Sequence, residues 1–217
     1  MEEKINLIKQ WLGTGSINIF GMPFSGKDTV GVRLAQDLNG RFLSSGLILR
    51  AAEENDKELM HEMSQGLLAS TDKFRDIVLP YFGIAELRDF PLILSSVGRW
   101  EGEEFDVINA AEKFRHPIKA VILLNISEAE IRNRWEVAQS LQDRGAREDD
   151  KVRSILDKRI EEFIEKTMPV IQTYQKRGIL LPVNGHADRE AVYTEVVDAL
   201  AKLASQNQEP ERIIPLQ

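Results

Sequence analysis

At 217 residues, 42% hydrophobic and 29% charged, the chain amounts to about 1.4 domains by length; this predicts one domain with an insertion and excludes a disordered or collagen-like polymer. It has no cysteine, and His61, His116 and His186 are far apart in sequence, so disulfides, thiol nucleophiles and cysteine-ligated zinc are excluded and any metal is expected on oxygen ligands. A net charge of −7 argues against general attraction to nucleic acid or anionic lipid but leaves room for a local arginine cluster that binds a small anion.

An amphipathic helix is expected over Met1–Leu12, followed by a buried strand at Ile17–Phe20 and a helix at Lys27–Leu38. A second strand at Phe42–Ser44 leads into three helical patterns, Leu47–Glu54, Lys57–Leu68 and Thr71–Phe82, before a third strand at Pro91–Ser95. Those helices take up more chain than one crossover needs and predict a helical insertion at about 45–80. Next come a helix at Glu103–Phe114, a strand at Ala120–Asn125, a helix at Ser127–Gln142 and a long helical pattern over Asp150–Lys176. Pro169 inside that pattern predicts a kink or break. A last strand, Ile179–Val183, and a helix, Asp188–Ala204, precede a tail from Gln206 that is expected to fray. Strands alternating with helices predict an α/β fold whose parallel sheet is covered on both faces. The start lacks a signal-peptide layout and no apolar run approaches the ~18 residues of a membrane span. A cytoplasmic protein with no membrane association is expected.

The first strand is followed by Gly21-Met22-Pro23-Phe24-Ser25-Gly26-Lys27-Asp28-Thr29, which opens the next helix. This is the context of a phosphate-binding loop. Gly21 and Gly26 let main-chain N–H groups converge on phosphate oxygens, the helix N-terminus adds partial positive charge, and Lys27 can reach the β- and γ-phosphates.

The loop resembles the G-x-P-G-x-G-K-G-T of the adenylate kinase family of nucleoside monophosphate kinases. Further stretches in the same order are similar to that family: Leu43 to Ala51, Leu94 to Trp100, Arg147-Glu148-Asp149-Asp150 with Lys158-Arg159, and Thr167-Met168-Pro169 through Asn184-Gly185. The resemblance implies a three-layer P-loop fold with a five-stranded parallel sheet in the order 2-3-1-4-5, an acceptor-binding helical insertion and a lid. Only a dozen residues separate Arg134 from Arg147, so a short lid at about 136–148 is expected, without zinc. It also implies transfer of the γ-phosphoryl of ATP·Mg²⁺ to a nucleoside monophosphate, with AMP as default acceptor and a monomer as the working form.

By the same resemblance, Gly21, Ser25, Gly26, Lys27, Asp28, Thr29 and Arg134 would bind ATP. Ser45, Gly46, Arg50, Arg99 and Glu103 would bind the acceptor, and Lys27, Arg99, Arg147 and Arg159 would be catalytic, with Arg144 and Arg153 as neighbouring candidates for the last two roles. Guanidinium forks suit phosphate oxygens, and phosphoryl transfer is catalysed mainly by positioning and charge neutralisation.

Departures from the family pattern bear on both the metal and the base. Leu47 and Ser95 stand where the family has aspartates near the magnesium waters, and Asp28 stands where its loop has glycine. A carboxylate there repels phosphate by about 3 kcal/mol at ~6 Å and an effective dielectric near 20. Asp28 therefore either faces Mg²⁺, directly or through water, or points to solvent as a first-turn helix residue. Near the base-reading position stand Glu101, Glu103 and Glu104, with Glu103 closest in register. A carboxylate only accepts hydrogen bonds, which suits guanine N1/N2 or the exocyclic amine of cytosine or adenine; a charged helix start is the plainer role. Also open are a kinase for GMP, CMP or a non-nucleotide, and a weakened nucleotide-binding regulatory protein, suggested by Phe24, Leu47 and Ser95.

Overall fold

A computed structural model describes residues 1–141 and 152–207. Its five strands, β1 (Ser16–Gly21), β2 (Arg41–Ser44), β3 (Leu92–Ser95), β4 (Ile118–Asn125) and β5 (Leu180–Asn184), form one sheet in the order β2-β3-β1-β4-β5, and every adjacent pair is parallel. β1 is buried along its whole length, as a strand covered on both faces must be. Its alternation divides the core. Ile17 and Ile19 face one layer with α1 (Glu2–Leu12), α2 (Lys27–Asp37) and α10 (Arg189–Gln206). Phe20 faces the other layer, which includes α6 (Glu103–Lys113) and α9 (Met168–Lys176). The chain passes from β1 to β2, returns to β3, and then crosses to β4 on the other side of β1. That reversal opens a crevice at the carboxyl end of β1, where open α/β sheets bind ligands.

The insertion is α3 (Ser45–Glu53), α4 (Lys57–Ser64) and α5 (Thr71–Ile77), followed by 3₁₀ turns over Leu79–Gly83 and Ala85–Leu87. Its apolar residues Ile48, Leu59 and Phe74 pack with Leu92 and Leu94 of β3. Two of these helices end earlier than their apolar patterns predict. Pro80 cannot continue the hydrogen-bonding of α5, so the chain tightens into 3₁₀ turns. Beyond α4, Gly66 adopts φ 77°, which ends any helix.

The break expected at Pro169 is a five-residue π turn, Phe163–Thr167, between α8 (Arg153–Glu162) and α9. α7 (Glu128–Leu141) fills most of the pattern expected to end at Gln142. Arg144, Arg147 and all but residues 136–141 of the expected lid lie outside the described residues, as does most of the C-terminal tail. Among the described residues no helix is long and apolar enough to cross a membrane.

Candidate active site

The loop after β1 is tightly constrained. Gly26 is the N-cap of α2 in a left-handed conformation, φ 89°, which glycine adopts at no steric cost. A Cβ on Gly21 would lie 2.4 Å from the Ser25 hydroxyl, so that position has no room for a side chain. Ser25 N–H donates to Met22 O at 3.2 Å. The Ser25 hydroxyl is itself buried without a hydrogen-bond partner, an orphan that invites a ligand. Phe24 holds φ 61°, a region costly for a residue with a side chain and populated mainly where surrounding packing enforces it. Here Phe24 is buried with Ile126, Ile131 of α7, and Leu156 and Ile160 of α8.

Two cavities flank the first turn of α2. One, of about 610 Å³, is lined by Phe24, Ser25, Gly26, Thr29, Arg134 and Ala187, among others, and is within the usual size of a ligand site. Arg134 is fixed at its rim: Nη2 donates to Gly185 O at 2.7 Å and Nε to Glu130 Oε1 at 3.0 Å. The second cavity brings together Lys27, Asp28, Ser45, Gly46, Arg50, Arg99, Glu103 and Arg159. Four cations against two carboxylates leave it with excess positive charge, suited to a phosphate. It holds only about 110 Å³, well below the ~300 Å³ lower bound of ordinary ligand pockets.

Within that second cavity the carboxylates are placed differently. Asp28 accepts a 2.5 Å hydrogen bond from Ser95 Oγ at the end of β3, so it turns toward the sheet beside Lys27 rather than outward. Glu103, at the start of α6, is 2% exposed. Its Oε2 accepts from the N–H groups of Arg99 (2.7 Å) and Trp100 (3.0 Å), whereas Oε1 is buried with no hydrogen-bond partner. Burial raises the Glu103 pKa, opposed by those two N–H groups and by the Thr71 hydroxyl and Arg99. Glu104 is also buried and caps its own loop at Gly102 N–H, while Glu101 is exposed. The Ser45 hydroxyl donates to Ser96 O at 2.6 Å, tying α3 to β3. Arg99 Nε is buried without a partner, and burial together with the nearby Arg159 charge pulls its pKa down to about 10, so it stays charged at neutral pH.

Sequence reasoning misses the contacts that shut this cavity. Trp100 Nε1 donates to Ala69 O at 2.9 Å, and the Lys166 ammonium lies 4.0 Å from the centre of its ring. Lys166 also donates at 2.6 Å to Oε2 of buried Glu162, which accepts from Leu68 N–H as well, at 3.2 Å. The insertion is thereby fastened to the β3–α6 loop and to the end of α8. The i,i+4 spacing of Glu162 and Lys166 is the only sequence trace of this network.

A phosphate loop at the switch point of a parallel sheet, facing a pocket of convergent cations, defines a P-loop phosphotransferase. No family model matches the chain. It is 30% identical over 190 residues to an adenylate kinase of Synechococcus sp. (strain CC9311), covering 83% of this chain and 96% of the relative. It is 29% identical over 206 residues to a UMP-CMP kinase of Lentinula edodes, covering 87% and 86%. In fold it is similar to a gluconokinase from Sinorhizobium meliloti 1021, with a TM-score of 0.61 at 18% identity, over 89% of this chain and 95% of that one. The chain belongs to the adenylate kinase family of nucleoside monophosphate kinases.

Proposed function

We propose that the chain transfers the γ-phosphoryl group of ATP·Mg²⁺ to a nucleoside monophosphate, with AMP as default acceptor, working as a monomer in the cytoplasm. The observation that carries this reading is the meeting of Lys27 and Asp28 with Arg50, Arg99 and Arg159 in one cavity beside the loop. The triphosphate lies on the main-chain N–H groups of the Gly21–Lys27 loop, its base in the larger cavity against Arg134 and Thr29. Arg50 and Arg99 hold the acceptor phosphate, and Lys27, Arg159 and Arg147 neutralise charge on the transferring group. With the two phosphates in line, no general base is needed.

The donor set fits a magnesium ion held mostly by phosphates and water. Among the described residues no group of three metal-ligating side chains occurs, and a single carboxylate plus phosphates is a common magnesium arrangement. Asp28 would be that carboxylate, with Ser95 fixing its orientation. When bound, the metal neutralises phosphate oxygens that would otherwise repel both Asp28 and the incoming acceptor.

The acceptor cavity must enlarge to admit a nucleotide, so the insertion has to swing outward. The hydrogen bonds to be released are Trp100 to Ala69 and Leu68 to Glu162. Closing again over the substrates excludes water from the γ-phosphate.

A coupled assay of ADP release with ATP, Mg²⁺ and each of the common monophosphates tests the reaction: saturable turnover is expected with at least one, and binding of ATP without turnover on any would leave a nucleotide-binding regulator instead. The metal role has its own signature. Asp28→Gly is expected to raise the Mg²⁺ concentration for half-maximal activity about tenfold, and to tighten calorimetric binding of metal-free ATP by relieving the carboxylate–phosphate repulsion. An unchanged metal requirement would remove Asp28 from the metal site.

A further inference from the structure

Asn18 is a fully buried amide in the middle of the central strand, on the same face of β1 as Phe20. Asparagine is a poor strand former, and burying an amide costs free energy unless its hydrogen bonds are made. Here they are made to one residue: Nδ2 donates to Val97 O at 2.7 Å, and Oδ1 accepts from Val97 N–H at 3.3 Å. The buried Tyr174 hydroxyl of α9 faces the same amide.

Val97 needs such a partner because of the way β3 ends. The register of β1 with β3 runs as far as Ile19 and Ser95. Ser96 N–H still reaches Ile19 O at 3.0 Å, but Ser96 then turns left-handed at φ 50°, and Gly98 does so again at φ 79°, so the chain leaves the sheet. Val97, between them, is buried beyond the end of the ladder, where a main-chain N–H and C=O still require partners. The Asn18 amide answers both, as a neighbouring strand would. Two residues on is Arg99, which lines the acceptor cavity and whose buried Nε has no partner to hold it.

We infer that Asn18 is a positioning residue for the acceptor: it fixes Val97, and through Val97 the backbone of Arg99, to the central strand. The inference rests on the proposed function and deepens it. Other bonds to this loop come from the insertion, Ser45 to Ser96 and Trp100 to Ala69, and are exposed to its movement. The Asn18 clamp comes from the sheet and survives that movement. Gly21, which opens the phosphate loop, closes the same strand three residues further on. Donor grip and acceptor grip are therefore aligned from one strand, and the in-line approach of the two phosphates depends on that alignment.

The test measures donor KM and acceptor kcat/KM with ATP·Mg²⁺ and whichever of AMP, CMP, GMP and UMP the wild type turns over best. Asn18→Leu keeps the core filled and deletes both bonds. Acceptor kcat/KM is expected to fall about ten- to hundredfold, the upper value being that of a ~1 Å misplacement, with donor KM within about twofold of wild type. In an Arg99→Met background the same substitution should cost less than about twofold more, because residues that act through one another are not additive. Asn18→Thr, which suits a strand but whose single hydroxyl is too short to hold both groups, carries the same expectations should Asn18→Leu not fold. Leu200→Ala, in the buried core of α10, supplies a loss of Tm away from this loop and should leave acceptor kcat/KM within about twofold. An unchanged acceptor kcat/KM in a folded Asn18 variant overturns the inference, as does full additivity with Arg99→Met, an equal rise in donor KM, or an equal acceptor loss in Leu200→Ala; each leaves the kinase reading intact. Absence of wild-type turnover with all four monophosphates overturns the kinase reading and this inference with it.

Discussion

In the phosphate loop, shape comes from neighbours in sequence: Gly26 at φ 89°, Ser25 bonded to Met22, and Gly21 leaving room for Ser25. In the acceptor cavity it comes from residues that meet across the chain. Ser45 bonds to Ser96, Trp100 to Ala69 and Leu68 to Glu162, with sequence separations of 51, 31 and 94. A turn set mainly by local geometry stays formed while substrates come and go, whereas a site held by distant contacts opens and closes as those contacts break and reform. The first suits a grip common to every turnover, and the second suits entry and release of a substrate.

Substitutions on the two sides should therefore fail in different ways. The largest loss is expected from Lys27→Met, which removes one preorganised cation from the transferring phosphoryl group: about a hundred- to thousandfold in kcat. Because Lys27 also lines the acceptor cavity, calorimetric binding of the monophosphate alone should weaken too, but by less than kcat; an unchanged kcat would remove Lys27 from the transferring group.

Arg99→Met should lower kcat/KM for the acceptor about ten- to hundredfold while making the fold more stable. The folded pKa of Arg99 is about 10, below its ordinary value of 12.5, so the native state bears a cost whenever the group is charged in both states. Removing the charge should raise Tm by about 3–6 °C near neutral pH. That gap should be flat from mildly acidic pH to about pH 9. It should narrow as pH rises through about 10, where folded wild type sheds the proton and its cost. Thermal melts of both proteins across that range check the sign; a variant less stable than wild type would show that Arg99 is needed for folding.

The smallest effect is expected from Trp100→Phe, which keeps the ring beside Lys166 but deletes the bond to Ala69. A neutral hydrogen bond contributes about 1 kcal/mol, or about 2–4 °C of Tm for a chain of this length. Donor KM should not change. A shift in donor KM larger than in acceptor KM would place this contact on the wrong side of the comparison.

Much of this architecture is legible from residue order. Strand runs such as Ile17–Phe20 and Pro91–Ser95 fall within a residue or so of β1 and β3, because a strand buried on both faces leaves an unbroken apolar signature. Helix ends are less legible: the apolar pattern of Thr71–Phe82 continues through a 3₁₀ turn, since packing against β3 needs the side chains but not the α-helical backbone. Lys27, Arg50, Arg99 and Arg159 were marked by their resemblance to a known order of motifs, and the structure collects them in one cavity. The bond from Ser95 to Asp28 was not legible. Two departures from that order, 67 residues apart, turn out to touch, and no local pattern carries such a pairing. Glu103 was marked as a residue that could meet a base, but the division of labour between its two oxygens depends on where the β3–α6 backbone turns.

The buried ring of Phe24 makes the loop sensitive to the apolar faces of α7 and α8. Its left-handed backbone is kept in place by Ile131, Leu156 and Ile160, on the same two helices that carry Arg134 and Arg159. Loosening that apolar wedge from outside, for instance by Ile160→Ala, would let the loop relax and the arginine-bearing helices drift together. Triphosphate affinity in this protein is thus expected to depend partly on aliphatic side chains that no nucleotide touches.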